Sequence, residues 1–249
     1  MNTICKNCSA GFEGIFCPNC AQKASTGRLN VSDVVHEMWH NFTHTDRSVL
    51  GLIAGLFTKP GIVIREYIAG KRKKYFNPYT FFLISSAILI FITKKVFHYE
   101  DSLYNFNNEF GQFTSEQYTI IILFSLPVMA GILRMIFSGR DINYSEWITF
   151  LIFSYCLINV IQIVIQLIYF PLIKYHHTIL LSYTELSSYV ILFFLLIKFI
   201  QPRNFGGWTK CIFSIVVLFF FVEWIAKIIA LWLAMPISLS RLISNYSVF

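Results

Sequence analysis

Four cysteines near the N-terminus have the spacing of a metal site. Cys5 and Cys8 form one C-x2-C pair, and Cys17 and Cys20 form a second pair after eight intervening residues. Each pair places two thiolates on one tight turn, and two such turns complete a tetrahedral shell. The pattern predicts one structural zinc ion, with rubredoxin-like iron as the alternative. Because a closed shell leaves no position for water, we expect this zinc to fold the segment and not to catalyse.

A second candidate site follows at HEMWH, which matches the H-E-x-x-H signature of zinc metalloproteases. In that interpretation His36 and His40 hold the ion and Glu37 is the general base. His44 extends the four-residue spacing, so a helix would place the three histidines in one stripe. The stripe is compatible with catalytic zinc, with non-catalytic metal binding, or with a polar face packed on the ribbon or on lipid. We favour the polar face, because about 78 residues precede the first expected span and leave too little chain to wall a substrate cleft.

The amino-acid composition indicates which class of protein carries these candidate sites. Hydrophobic residues make up 56% of the chain and charged residues only 13%, which is far from the balance of a soluble domain. We therefore expect an all-α membrane protein: a zinc ribbon over 1–24, juxtamembrane amphipathic helices over 30–78, and a bundle of about five transmembrane helices over 79–249. The expected spans, each long enough for a hydrocarbon core of about 30 Å, are 79–97, 118–138, 147–170, 178–200 and 210–235.

The basic residues predict the orientation of the bundle. Ten of them precede the first span, whereas the loop over 98–117 carries four acidic residues and no Lys or Arg. Positively charged flanks stay in the cytoplasm, so we expect a bacterial inner-membrane protein with its N-terminus inside and its C-terminus outside. Cytosolic thiols stay reduced, which disfavours disulfides among the N-terminal cysteines. The net charge of +7 then indicates attraction to anionic lipid and no nucleic-acid partner. The expected headgroup contacts are Lys71, Arg72, Lys73 and Lys74.

Two stretches resemble known families. CKNCSAGFEGIFCPNCAQK resembles the short zinc ribbon that opens many bacterial membrane proteins, and TKPGIVIREYIAGKRKKYFNPYTFFL resembles the signature of domain-of-unknown-function family 3667. The resemblance covers roughly the first 95 residues and implies a cytoplasmic ribbon, a juxtamembrane helical region and a membrane bundle, with no assigned activity. In the ribbon, Ser9 and Ala21 replace the usual glycine, at a cost of about 1 kcal/mol each. The signature elements here are Thr58, Pro60, Gly61, Glu66, Gly70, Lys71, Arg72 and Pro78.

The juxtamembrane region contains two apolar stretches around a break. Residues 48–57 carry an apolar stripe, and a short helix over 62–69 is expected to bury Ile64, Tyr67 and Ile68 and to end at Gly70. Pro78 is then expected to begin the first span, at a position where its missing N–H is harmless. The two stretches form either helices that lie in the plane of the membrane or a hairpin that caps the bundle.

Several polar residues fall inside the expected spans, where they are costly. We predict that Lys227 is flanked by Glu223, one turn before it, and by Glu185 of the preceding span, with Gln162 or Gln166 supplying a hydrogen bond. Such a cluster either joins helices or forms part of a small-solute or proton path.

The sequence favours a membrane-anchored interaction or regulatory module with a structural zinc ribbon, without enzymatic activity. Its expected partners are the lipid bilayer and a cytoplasmic protein bound through the ribbon. The alternatives are a small-solute or proton-coupled transporter, indicated by the intramembrane charges, and a membrane metalloprotease, indicated by HEMWH.

Overall fold

The computed structural model describes residues 3–30, 49–92, 109–169 and 177–246, with side chains except at 109–118, 169, 177–185 and 230–246. The described chain is mostly helical, as expected, with one two-stranded antiparallel sheet and a 3-10 turn at Arg72–Lys74. The strands are β1 (Thr3–Ile4) and β2 (Gly11–Phe12). The helices are α1 (Val49–Thr58), α2 (Pro60–Ile68), α3 (Pro78–Phe91), α4 (Glu109–Ile136), α5 (Tyr144–Tyr169), α6 (His177–Ile200) and α7 (Phe205–Tyr246).

The length and apolar composition of the long helices indicate a membrane protein. Within the described residues, three segments are long and apolar enough to cross a bilayer: Thr119–Ile136, Tyr144–Ile168 and Phe205–Ile229. Pro78–Phe91 and Leu186–Ile200 are apolar but shorter, so the expected count of five spans is not confirmed. Helix α7 also continues well past the expected end of its span at residue 235.

Helix α5 is the centre of the bundle. It packs against α3, α4 and α6, and the short helices α1 and α2 also reach it. The rings of Phe150 and Phe199 stack with their centroids 4.9 Å apart, and Tyr67 of α2 meets Phe153 edge-on at 5.2 Å. Aromatic burial of this kind contributes strongly to packing. It therefore fixes α2 and the end of α6 on the same part of α5.

Helices α1 and α2 form a hairpin that packs on the bundle, with Leu52 and Leu56 buried on α1. Helix α2 begins two residues before the expected start, because Pro60 occupies its first turn, where a missing N–H is harmless. It ends as predicted before Gly70, whose φ of +105° suits glycine. One face of the hairpin thus caps the bundle.

Buried polar side chains join the membrane helices to one another. The amide nitrogen of Asn159 donates to Ser85 Oγ at 3.1 Å and to Ser86 Oγ at 2.9 Å, which ties α5 to α3. Gln162 Nε2 donates to Ser188 Oγ at 2.7 Å, which ties α5 to α6. Asn159 and Gln162 also line a small cavity with Tyr155. These amides serve as interhelical contacts.

Candidate metal centre and its attachment to the bundle

The ribbon is built from two equivalent cysteine turns. After the first, Ser9 N–H donates to Cys5 O at 2.9 Å, and after the second, Ala21 N–H donates to Cys17 O at 2.8 Å. Ser9 and Ala21 have φ of 61° and 55°, so they occupy the left-handed conformation that glycine usually takes in this motif. The chain accepts this strain at both turns, as the sequence predicted.

The two turns bring the four cysteines together. All four Sγ atoms lie within 4.8 Å of one another, and the Cys5–Cys20 and Cys8–Cys17 Sγ pairs are each 3.5 Å apart. Zinc–sulfur bonds of about 2.3 Å in a tetrahedron would separate the sulfurs by about 3.8 Å. The donor set and its spacing therefore fit one tetrahedral metal ion, and they form the one such group among the described residues.

Cys5 and Cys20 differ in how readily they lose a proton. Burial raises the pKa of Cys5, but hydrogen bonds with the backbone N–H groups of Cys8 and Asn7 and with the side chains of Cys20 and Cys8 lower it to about 7. At Cys20, burial raises the pKa to about 11 against a hydrogen bond from the Gln22 backbone, and the neighbouring Cys5 adds to the rise. A divalent cation would displace the remaining protons, so metal affinity should fall in acid.

Gln22 attaches the second cysteine turn to the segment before α3. Its side chain is buried, its Nε2 donates to Gly70 O at 2.8 Å, and its Oε1 accepts from Lys73 N–H at 3.3 Å. A buried amide that is satisfied at both ends fixes the geometry of its partners, because leaving either end unpaired costs free energy. The ribbon is thereby joined to residues 70–73.

Arg28 attaches the chain after the ribbon to the start of α5. Its Nε and Nη2 donate to the two carboxylate oxygens of Glu146 at 2.8 and 3.0 Å. It also donates to the side chain and the backbone carbonyl of Asp141, each at 2.8 Å. The Glu146 side chain is only 6% exposed, whereas that of Asp141 is 94% exposed. The contact between Arg28 and Glu146 is therefore the one that is partly shielded from water. Its two parallel hydrogen bonds suit the planar guanidinium of arginine better than the ammonium of lysine.

Glu146 also closes the capping box of α5. Glu146 N–H donates to Asn143 Oδ1 at 2.8 Å, and Asn143 N–H donates back to Glu146 Oε2 at 2.8 Å. Asn143 Nδ2 in turn donates to the carbonyl of Leu29 at 2.9 Å, and the Leu29 side chain is fully buried in the bundle core. The N-terminus of α5 and residues 28–29 thus form one hydrogen-bonded unit.

Two of the four basic residues at 71–74 pair with Glu66 of α2. Lys71 and Lys74 donate to opposite oxygens of Glu66 at 2.8 and 2.6 Å, and Tyr75 OH donates to it as well. Hydrogen bonds from Lys71, Lys74 and Tyr75, in that order, lower the pKa of Glu66 to about 2.

The other two basic residues of this cluster are arranged differently. Arg72 Nη2 donates to Gly27 O at 3.0 Å, and Lys73 is exposed. Contact of these four basic residues with lipid headgroups stays a prediction. Lys71 and Lys74 are already paired with Glu66.

The remaining predicted sites are not brought together in the described residues. Lys227 is exposed, Glu223 is half-buried, and no ion pair joins them in the part of the chain that the structure describes. The side chain of Glu185 lies outside the described residues, so its place beside Lys227 stays a prediction. Gln166 is half-buried.

The histidine stripe lies outside the described residues. This concerns His36, Glu37, His40 and His44. The protease and second-metal interpretations therefore stay predictions.

Sequence reasoning missed the residues that attach the ribbon. Asn143 and Glu146 did carry a readable signal, since N-x-x-E before an apolar run is the spacing of a capping box. Gln22 and Arg28 carried none, because nothing local marks a polar side chain whose partners lie 48 and 118 residues away.

Comparison with known proteins adds one finding. No curated protein and no solved structure matches the chain. The family match covers α1, α2 and all but the last residue of α3, and it includes Gly70, whose carbonyl accepts the hydrogen bond from Gln22 of the ribbon. Residues 46–90 match the model of the family described as "Protein of unknown function (DUF3667)", which confirms the resemblance seen in the sequence.

Proposed function

We propose that the protein is a membrane-anchored interaction module, in which a zinc-stabilised ribbon at one end of the bundle binds a cytoplasmic protein. One observation carries the proposal: the ribbon is fixed to the bundle through Gln22, Arg28 and Leu29. A ribbon held in this way presents its surface in a defined orientation. The excess of basic residues before the first span supports a cytoplasmic ribbon at a bacterial inner membrane.

Zinc is the metal that this donor set supports best. Four thiolates at tetrahedral spacing form a closed shell that contributes folding free energy and offers no site for substrate. The ion would hold the two cysteine turns together. The chain's own residues then hold the folded ribbon on the bundle.

The ribbon presents apolar side chains that its own core does not use. Ile4, Ile15 and Phe16 are 72%, 68% and 59% exposed. Each lies within two residues of a metal-ligating cysteine, so its position depends on the folded turns. Exposed large apolar groups on a small rigid surface are suited to the core of a protein interface.

In-cell photo-cross-linking tests the proposal. A photoreactive residue at Ile15 or Phe16 is expected to give one discrete protein adduct, and the same residue at the exposed Ser25 serves as the control. The adduct should disappear in a Cys8→Ser background while the amount of protein in the membrane is unchanged. A ribbon that binds zinc yet gives no protein adduct from either position would contradict the proposal.

A further inference from the structure

The outward face of the α1–α2 hairpin is apolar. Helix α1 contains no charged residue, and although one side of it is buried, Leu50 and Phe57 are 76% and 52% exposed on the other. Ile62 of α2 is 46% exposed, and Lys59 lies exposed between the helices. We call Leu50, Phe57, Lys59 and Ile62 the hairpin face. This surface contains three large apolar side chains and one positively charged side chain.

The depth of this face is set by α6. An added Cβ at Gly61 would lie 2.2 Å from the carbonyl oxygen of Lys198, so the start of α2 touches the end of α6 directly. Arg65 strengthens the contact by donating to Lys198 O at 2.7 Å and to Phe199 O at 3.1 Å. These carbonyls lie in the last turn of α6, where they have no N–H partner within the helix, and Arg65 caps them.

The end of α6 marks the edge of the hydrocarbon. Leu186, Val190 and Phe194 form an exposed apolar stripe with a four-residue spacing, and the next position of the stripe is the exposed Lys198. The ammonium of Lys198 lies 5.3 Å from the centre of the Phe194 ring. An apolar stripe that ends in a lysine is the pattern of a helix leaving the acyl region for the headgroups. The α1–α2 corner therefore lies at headgroup depth.

We propose that the hairpin face is a phospholipid-binding surface, with Leu50, Phe57 and Ile62 inserted at the acyl boundary and Lys59 bound to anionic headgroup phosphates. The contact of Gly61 and Arg65 with the carbonyl of Lys198 places the hairpin beside the residue at which the exposed stripe of α6 ends. A cation within an apolar surface matches anionic lipid better than it matches a second copy of the same positively charged surface. The hairpin thus packs on the bundle with one face and on the bilayer with the other, which combines the two arrangements expected from the sequence.

Lipid photo-cross-linking tests this surface. The full-length protein is reconstituted in phosphatidylcholine vesicles containing phosphatidylglycerol, with p-benzoylphenylalanine in place of Phe57 or Ile62. Lipid adducts, read by intact mass, are expected at roughly fivefold or greater yield over the exposed ribbon position Lys23. Phe124, 75% exposed on α4, is the positive control.

The headgroup contact has its own test. Lys59→Glu is expected to lower the preference for phosphatidylglycerol over phosphatidylcholine about fivefold at Phe57, whereas Lys23→Glu should leave it unchanged. Adducts at Phe57 and Ile62 to a second copy or to another protein would overturn the proposal. Lipid adducts at Phe124 alone would overturn it as well, because they would show that the reconstitution worked while the hairpin face stayed away from lipid.

Discussion

Arg28 and Glu146, 118 residues apart, are joined by two hydrogen bonds, from Nε to Oε1 at 2.8 Å and from Nη2 to Oε2 at 3.0 Å. The same carboxylate caps α5 through the backbone N–H of Asn143. A carboxylate at a helix N-terminus is already stabilised by the helix dipole, and the guanidinium adds a charge partner. The start of the central helix and the attachment of the ribbon therefore depend on one side chain.

Arg28→Ala is expected to loosen the ribbon. The change leaves the buried Glu146 carboxylate without its charge partner, so the contact between the ribbon and the start of α5 should weaken. Hydrogen exchange at residues 22–29 measures the effect and should become faster, while zinc stays bound because Arg28 is not a ligand.

Asp141→Ala is the matched control for this change. Its side chain contacts the same guanidinium but is 94% exposed, so its loss should cost less than about 1 kcal/mol. Equal effects of the two substitutions would show that the Glu146 contact does not hold the ribbon.

Gly61→Ala is expected to separate α2 from α6. The added methyl group would lie 2.2 Å from Lys198 O, and since backbone atoms on both sides must move, we expect a loss of about 1–3 kcal/mol or more. Gly131→Ala in α4 is the control, because nothing lies within 4 Å of its added Cβ and alanine favours a helix by about 0.5–1 kcal/mol. Thermal unfolding in detergent should show a lowered midpoint for the first variant only.

Glu66 predicts a pH dependence of stability. Its pKa is lowered from 4.5 to about 2, so the stability that it contributes is fully present above pH 4.5 and is lost as the pH falls towards 2. The difference in unfolding midpoint between wild type and Glu66→Gln should therefore be constant above about pH 5 and shrink below pH 4.5. Acid also releases metal from both proteins, so only their difference reports on Glu66. A difference that grows in acid would contradict this role.

Local patterns in the sequence predicted local structure well. The four cysteines predicted the metal cluster, Gly70 predicted the end of α2, and Pro78 predicted the start of α3. Each of these features follows from a few neighbouring residues, because ligand spacing, positive φ and a missing N–H are properties of the local chain.

Contacts between residues far apart in the sequence could not be predicted in the same way. Gly61 was recognised as part of a motif, but its reason is the carbonyl of Lys198, which lies 137 positions further along the chain. The rotation of α7, which decides whether Lys227 faces the bundle, could not be predicted either, because hydropathy reports how apolar a helix is and not which side of it meets lipid. Long-range partners and helix rotation are set by packing, which one sequence does not display.

Topology is a further prediction, because the asymmetry of basic residues implies a cytoplasmic ribbon. Reporters inserted at Asn107 or fused after Phe249 should appear outside the cytoplasm, and one at Gly139, in the loop before α5, should appear inside. A cytoplasmic signal after Phe249 would mean an even number of spans.

Metal content tests the central claim most directly. Elemental analysis of the full-length protein purified in detergent should find one zinc ion per chain, because the sulfur atoms of Cys5, Cys8, Cys17 and Cys20 lie close enough together to complete one tetrahedral shell. Cys8→Ser should lose the zinc and the protection of the ribbon from proteolysis, whereas Cys156→Ser, which removes a cysteine outside the cluster, should retain both. A full equivalent of zinc in the Cys8→Ser protein would contradict the account.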